Sequence, residues 1–145
     1  MTTSRKVNIL MVEDTEEHVV LMRRALEKGK LKPRLSVAKD GQAALDFLHN
    51  RGVSAGRQAN PVPDLILLDL KLPKVSGLEV LKHIKDDEKL REIPVVILTA
   101  SDEGKDIIRS YQGGADSYFT KSVLFLSKME GPTAILDTVM AMAGV

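Results

Sequence analysis

Three carboxylates, a hydroxyl and an ammonium each stand at the end of an apolar run: Glu13 and Asp14 in "VED", Asp69 after "LILL", Thr99 in "LTAS" and Lys121 in "YFTK". Crowded carboxylates raise one another's pKa values unless a cation holds them ionised. A hard divalent ion such as Mg²⁺ does so, keeps several waters, and is commonly completed by phosphate oxygens. Asp69 would then be a nucleophile toward an activated phosphoryl group, forming an acyl phosphate. Lys121 and the ion would neutralise the equatorial oxygens of the transferring group, and Thr99 would donate a hydrogen bond to them. Taken singly, an aspartate after a strand also reads as a helix cap or turn residue, and a lone lysine or threonine signals almost nothing. The joint pattern carries the reading, because complementary residue types fall at the ends of separate strands.

The elements that must position these groups are legible as alternating patterns. Apolar, β-branched runs at 7–12, 35–38, 65–69, 95–99 and 117–120 predict strands. Helical spacing follows at 15–28, with Asp14 and Glu17 resembling a capping box, at 41–49 after Asp40, at 77–86 after Ser76, at 103–112 after Asp102, and at 132–143. Strand and helix alternating in this way predict an α/β, doubly wound, five-stranded parallel sheet with helices on both faces, a flavodoxin-like plan. The first and third strands are continuously hydrophobic, as strands covered on both faces must be, and the second is short and mixed, as an edge would be, which favours order 2-1-3-4-5. Ligands of such sheets bind outside the carboxyl ends of the strands where the winding reverses, here between the first and third. The abrupt break after Asp69 fits this: the strand is buried, the chain leaves the sheet so that the carboxylate faces solvent, and Pro73 and Gly77 support the turn.

Composition narrows the function. A chain of 145 residues is expected to be one domain, 1–145, with an extended loop at 50–63 and an extended C-terminal segment at 122–145. Its 21 basic residues nearly cancel 20 acidic ones, so no field of one sign draws in nucleic acid or an anionic membrane. Cysteine is absent, and no stretch approaches a membrane span, so a cytoplasmic location is expected. The three histidines look incidental: His18 faces outward from the first helix, and His49 and His83 sit on helices without partner ligands.

With "ILMVED", "LILLDLKLPKVSGLEVL", "IPVVILTAS" and "GADSYFTK", the chain resembles the receiver domain of bacterial two-component response regulators over almost its whole length. The resemblance implies phosphorylation of Asp69 by a histidine kinase, Mg²⁺ held by Glu13, Asp14, Asp69 and the backbone carbonyl of Lys71, and a switch formed by Thr99 and Tyr118. It implies a signalling phosphoacceptor rather than an enzyme, one that assists only its own phosphorylation and dephosphorylation. Lys71 and Ser101 are the positions expected to tune acyl-phosphate lifetime. The family usually has proline after the lysine, joined by a cis bond, where this chain has Ser122. The loop before strand three, "DDEKLREIPVVILTAS" and the single-domain length are similar to regulators paired with phytochrome-type kinases.

No output domain is expected after Lys121, so the signal is expected to be read by a downstream phosphotransfer or effector protein or by a second copy. The last helix is apolar nearly all round, which calls for burial on more than one side. Homodimerisation is expected through Ile135, Leu136, Val139, Met140 and Met142, with residues 123–126 alongside. The competing enzyme reading is a phosphatase of the haloacid dehalogenase kind, which also uses a strand-end aspartate. That chemistry needs a second acid two residues later, where this chain has Lys71.

Overall fold

A computed structural model describes residues 7–29, 33–50, 60–101 and 103–122, together with Asp137 and Ala141. Five parallel strands, β1 (Asn8–Val12), β2 (Arg34–Ala38), β3 (Leu65–Leu68), β4 (Val95–Thr99) and β5 (Ser117–Thr120), form one sheet in the order β2-β1-β3-β4-β5. Helices α1 (Glu16–Glu27), α2 (Gly41–Leu48), α3 (Gly77–Asp86) and α4 (Gly104–Gln112) alternate with them. The sheet order and the edge position of β2 agree with the sequence reading. The expected last helix lies outside the described residues apart from Asp137 and Ala141, both helical, and so do the five interface candidates Ile135, Leu136, Val139, Met140 and Met142.

The central strands are apolar throughout because each face is covered by different helices. Successive strand side chains point to opposite faces. Ile9, Met11, Leu65 and Leu67 therefore pack with Val19, Met22 and Leu26 of α1. Leu10, Val12, Ile66 and Leu68 pack with Ala44 and Leu45 of α2 and with Val80, Leu81 and Ile84 of α3. Burial of each such side chain contributes roughly 1.5–3 kcal/mol, so the strands that carry the site are its most firmly held parts.

Helix starts agree with the sequence at α2 and α3 and differ at α1, while Asp102, expected to cap α4, lies outside the described residues and Glu103 stands at that helix's N-cap. Asp40 accepts from the Ala43 N–H at 2.7 Å, and Ser76 from the Glu79 N–H at 3.3 Å, each capping its helix. Asp14 does not cap α1: Thr15 occupies that position without a side-chain cap bond. The Glu13 carboxylate instead accepts the Thr15 N–H at 3.2 Å, so an acid read as neighbour to a cap itself holds the turn. The long connection before β3 is closed at its base, where Asn60 donates its N–H to the Asn50 side chain at 2.6 Å.

Two glycines clamp the segment between β3 and α3. A Cβ on Gly77 would stand 2.1 Å from the Asp69 carbonyl oxygen, and one on Gly41 would stand 2.1 Å from that of Val75. Gly77 also donates its N–H to the Leu70 carbonyl at 2.8 Å. The turn after Asp69 is thus pressed against backbone on both sides. Gly77→Ala is expected to lower stability by about 1–3 kcal/mol, because backbone rather than a flexible side chain must yield. Gly104→Ala, with nothing within 4 Å of the new methyl group, is the control and should be neutral or slightly stabilising. Urea denaturation of both variants measures the difference.

Candidate functional site

The four strands at the centre and one edge of the sheet release the chain at the same level, and backbone hydrogen bonds fix where. The Glu13 N–H donates to the Ala38 carbonyl and the Asp69 N–H to the Val12 carbonyl, continuing the ladders one residue past β1 and β3. Thr99, the last residue of β4, is fully buried, and Lys121 follows β5 immediately. Residues from four separate runs therefore meet around the Asp69 carboxylate.

That carboxylate is held on both oxygens. Oδ1 accepts the Thr99 hydroxyl at 2.7 Å and the Lys71 N–H at 3.2 Å, while Oδ2 accepts the Lys121 ammonium at 2.7 Å. The same ammonium lies 2.8 Å from Glu13 Oε1. One carboxylate oxygen from each of Glu13, Asp14 and Asp69 lies within 4.8 Å of the other two. Glu13 is 1 % exposed and Asp69 5 % exposed, whereas Asp14 is open to solvent. Asp69 was expected to face solvent, and this is corrected: Lys121 and Thr99 lie over it, so the turn exposes the site's rim and not the carboxylate itself.

The electrostatics follow from that crowding. Burial alone would lower the Lys121 pKa, but its hydrogen bonds to Asp69 and Glu13 outweigh this and hold it above the ordinary lysine value. One ammonium among three carboxylates leaves an excess of negative charge. The donor set is all oxygen, from groups that a hard divalent cation keeps ionised, so such an ion fits Glu13, Asp14 and Asp69.

Around this centre the remaining predicted residues take distinct places. Tyr118 is half-buried against the core and donates its hydroxyl to the Ser101 carbonyl at 2.5 Å. The Ser101 hydroxyl donates to Asp106 at 2.6 Å and accepts the Glu103 N–H at 3.3 Å, so it organises the start of α4. Lys71 is exposed, with only its N–H directed at Asp69. The Lys121–Ser122 peptide bond is trans.

His18 is the residue that sequence reasoning missed. It is not outward-facing: its Nδ1 lies 3.0 Å from the Lys121 ammonium and 3.6 Å from Glu13 Oε2. The signal available was its place one turn beyond the acidic pair, on the end of α1 nearest the sheet edge. The partner that draws it inward is 103 residues away in sequence, which no local pattern shows.

Comparison with known proteins agrees with this geometry. Residues 9–130 match the response regulator receiver domain. A probable methanogenesis regulatory protein, FilR2 of Methanothrix harundinacea (strain 6Ac), is 45% identical over 119 residues, covering 81% of this chain and 73% of that protein. Response regulator Rcp1 of Synechocystis sp. is 42% identical over 114 residues, covering 79% and 76%. The crystal structure of the Mn²⁺-bound form of Rcp1 covers 94% of this chain and 88% of that one, with a TM-score of 0.73 and 36% identity. That of the phosphorylated cyanobacterial phytochrome response regulator RcpA covers 93% and 91%, with a TM-score of 0.79 and 35% identity. The phosphatase reading finds no support beside these likenesses, since residue 71 is an exposed lysine where that chemistry requires a second acid. With residues 9–130 matching that domain, and with an acidic cluster and a lysine gathered on the aspartate that follows its third strand, the chain belongs to the response regulator receiver domain family and is homologous to the phytochrome response regulators.

Proposed function

We propose that this chain is a phosphoacceptor that takes a phosphoryl group from a histidine kinase onto Asp69 and signals by changing what it binds. The observation that carries this reading is the Asp69 carboxylate, bonded through one oxygen to Lys121 and through the other to Thr99, with Glu13 and Asp14 beside it. An Asp69 oxygen attacks the phosphorus of the kinase's phosphohistidine. The O–P bond forms as the N–P bond breaks, and the electron pair of the broken bond stays on the imidazole. Glu13, Asp14, Asp69 and the Lys71 carbonyl would hold Mg²⁺, which when bound would supply charge neutralisation for the transferring oxygens. Lys121, already between Asp69 and Glu13, shifts its ammonium to the new phosphoryl oxygens. The Thr99 hydroxyl, now given to Asp69, turns to donate to the same oxygens. Charge of about −1.5 to −2 at the site pulls both donors.

Thr99 and Tyr118 form the switch, and Lys71 and Ser101 set the lifetime of the acyl phosphate. The whole chain is taken as one receiver domain with its loop at 50–63 and its tail at 122–145, acting in the cytoplasm without nucleic acid or membrane. It is a binding protein that assists only its own phosphorylation and dephosphorylation. Similarity to Rcp1 and to RcpA, a phytochrome response regulator, supports a phytochrome-type kinase as the donor, with a phosphotransfer or effector protein downstream. The apolar circumference of the last segment supports a homodimer through Ile135, Leu136, Val139, Met140 and Met142.

Acetyl phosphate with Mg²⁺ is expected to add one phosphoryl group to the intact chain by mass spectrometry, and Asp69→Asn to abolish the gain. A gain that survives in Asp69→Asn, or steady turnover of phosphomonoesters, would exclude the proposal. Lys121→Met should slow the reaction by about 10²-fold or more, since a preorganised charge on the reacting oxygens is lost. Sedimentation velocity at micromolar concentration is expected to give a dimer. A monomer there would remove the proposed interface and leave the phosphoacceptor reading untouched.

A further inference from the structure

Away from the acidic cluster, the chain brings together a second set of ligating groups. His49 closes the C-terminal end of α2, His83 lies on α3, and Asp87 closes the C-terminal end of α3. These histidines were expected to sit without partner ligands. Instead their Nε2 atoms are 2.7 Å apart, with the rings edge to face at 82°. Asp87 Oδ2 stands 4.0 Å from His49 Nε2. One atom from each of the three residues lies within 4.8 Å of the other two.

We propose that His49, His83 and Asp87 form a cation site for a borderline divalent transition metal ion such as Zn²⁺, bridging α2 and α3. Two imidazoles and a carboxylate are the donor set such ions take, and one that Mg²⁺ does not favour. Zinc bonds of about 2.0–2.1 Å in tetrahedral array place ligand atoms roughly 3.3 Å apart. The His–His distance must therefore open, and the His49–Asp87 distance close, each by about half an ångström or slightly more, within reach of side-chain rotation. Both Nε2 lone pairs are needed, so the hydrogen carried on one Nε2 in the His–His bond moves to the Nδ1 of the same ring.

The surroundings hold the set in place. Asp87 Oδ1 is committed to the N–H groups of Lys89 and Leu90, at 2.7 and 3.2 Å, which turns Oδ2 toward His49. Such outer bonds orient a ligating carboxylate. The His49 N–H is bonded to the Leu45 carbonyl at 3.0 Å, so its backbone is fixed as well. Lys82, beside His83 on α3, is paired with Asp86 at 2.6 Å. Beside His83 and Asp87 a cleft of ≈ 350 Å³ opens, lined also by Glu79, Lys82 and Asp86. Two of the three ligands, His83 and Asp87, line this cleft, and a three-ligand set leaves a coordination position for water or for a side chain of a docked protein. The site is independent of the phosphorylation reading, since none of its ligands belongs to the Asp69 cluster.

The test is isothermal titration of the full, tag-free chain with Zn²⁺ in saturating Mg²⁺, which occupies the acidic cluster. One equivalent of Zn²⁺ is expected to bind, and His83→Gln and His49→Gln each to weaken it by at least about tenfold. Co²⁺ in place of Zn²⁺ should give visible absorption bands that the same variants lose. His83 is exposed, so His83→Gln should keep the wild-type circular dichroism and metal-free melting temperature. Zn²⁺ binding in His83→Gln equal to that of the parent chain, or no binding in the parent, would overturn the proposal and leave the two rings as a hydrogen-bonded pair only.

Discussion

The charge contact between Lys121, Asp69 and Glu13 is the constraint on which the site depends. Removing charged groups from water is costly, and a buried pair persists only when geometry and further hydrogen bonds compensate. Here one ammonium serves two nearly buried carboxylates at 2.7 and 2.8 Å. The remaining oxygens find donors in Thr99, Thr15 and Lys71. The contact joins the ends of β1, β3 and β5, which meet only because the sheet reverses its winding between β1 and β3. The fold and the electrostatics are thus one requirement: displace β5 and two acids remain buried without their cation.

That arrangement must also be stiff, and the two-faced core makes it so. Each side chain of β1 and β3 past Asn8 is buried against α1 on one face or α2 and α3 on the other, so neither strand can slide without moving both layers. Gly77 and Gly41 then fasten the loop beyond Asp69 by admitting backbone where any side chain would collide. Lys74, within that loop, takes a positive φ of 68°, a conformation that costs a non-glycine residue and is held by its surroundings. The carboxylate thereby keeps its position while the charge around it changes.

The sequence makes plain those features whose cause is local. β4 and β5 fall where alternation and branching place them, and α3 spans the predicted residues because its serine cap and following apolar spacing lie within one short stretch. Asp14 misled because an acid before a helix normally caps it, whereas at this sheet edge the neighbouring Glu13 takes the Thr15 N–H. Asp69 was read as outward-facing because nothing near it in sequence covers it; the covering lysine is 52 residues away. His18, His49 and His83 were opaque for the same reason, each finding its partner across the fold: 103 residues separate His18 from Lys121, and 34 separate His49 from His83. Residue type and spacing locate ligands on strands and helices, but pairing between side chains of different elements appears only when the layers are assembled.

The switch proposed for Thr99 and Tyr118 has a mechanical basis in the same assembly. Ile97 and Thr99 pair across β4 and β5 with Tyr118 and Thr120, so the two proposed switch residues sit on adjoining strands two residues apart in register. The Tyr118 hydroxyl is tied to the Ser101 carbonyl, two residues beyond Thr99 on the same loop. Ser101 in turn holds Asp106 and Glu103 at the head of α4. Drawing the Thr99 hydroxyl from Asp69 to a phosphoryl oxygen, as proposed, would pull on the short stretch that supplies the tyrosine's acceptor, and a hydrogen bond weakens steeply with lost alignment. In the proposed switch Tyr118 would then lose its bond to the Ser101 carbonyl, on the residue that also organises the start of α4. Of the described helices, α4 is the one that buries least, with Ser110 alone fully enclosed and Ile108 and Tyr111 largely exposed. An exchange of hydrogen-bond partners of the kind proposed at this end of the sheet would therefore reach the described helix least anchored to the core, the kind of element in which local opening costs least.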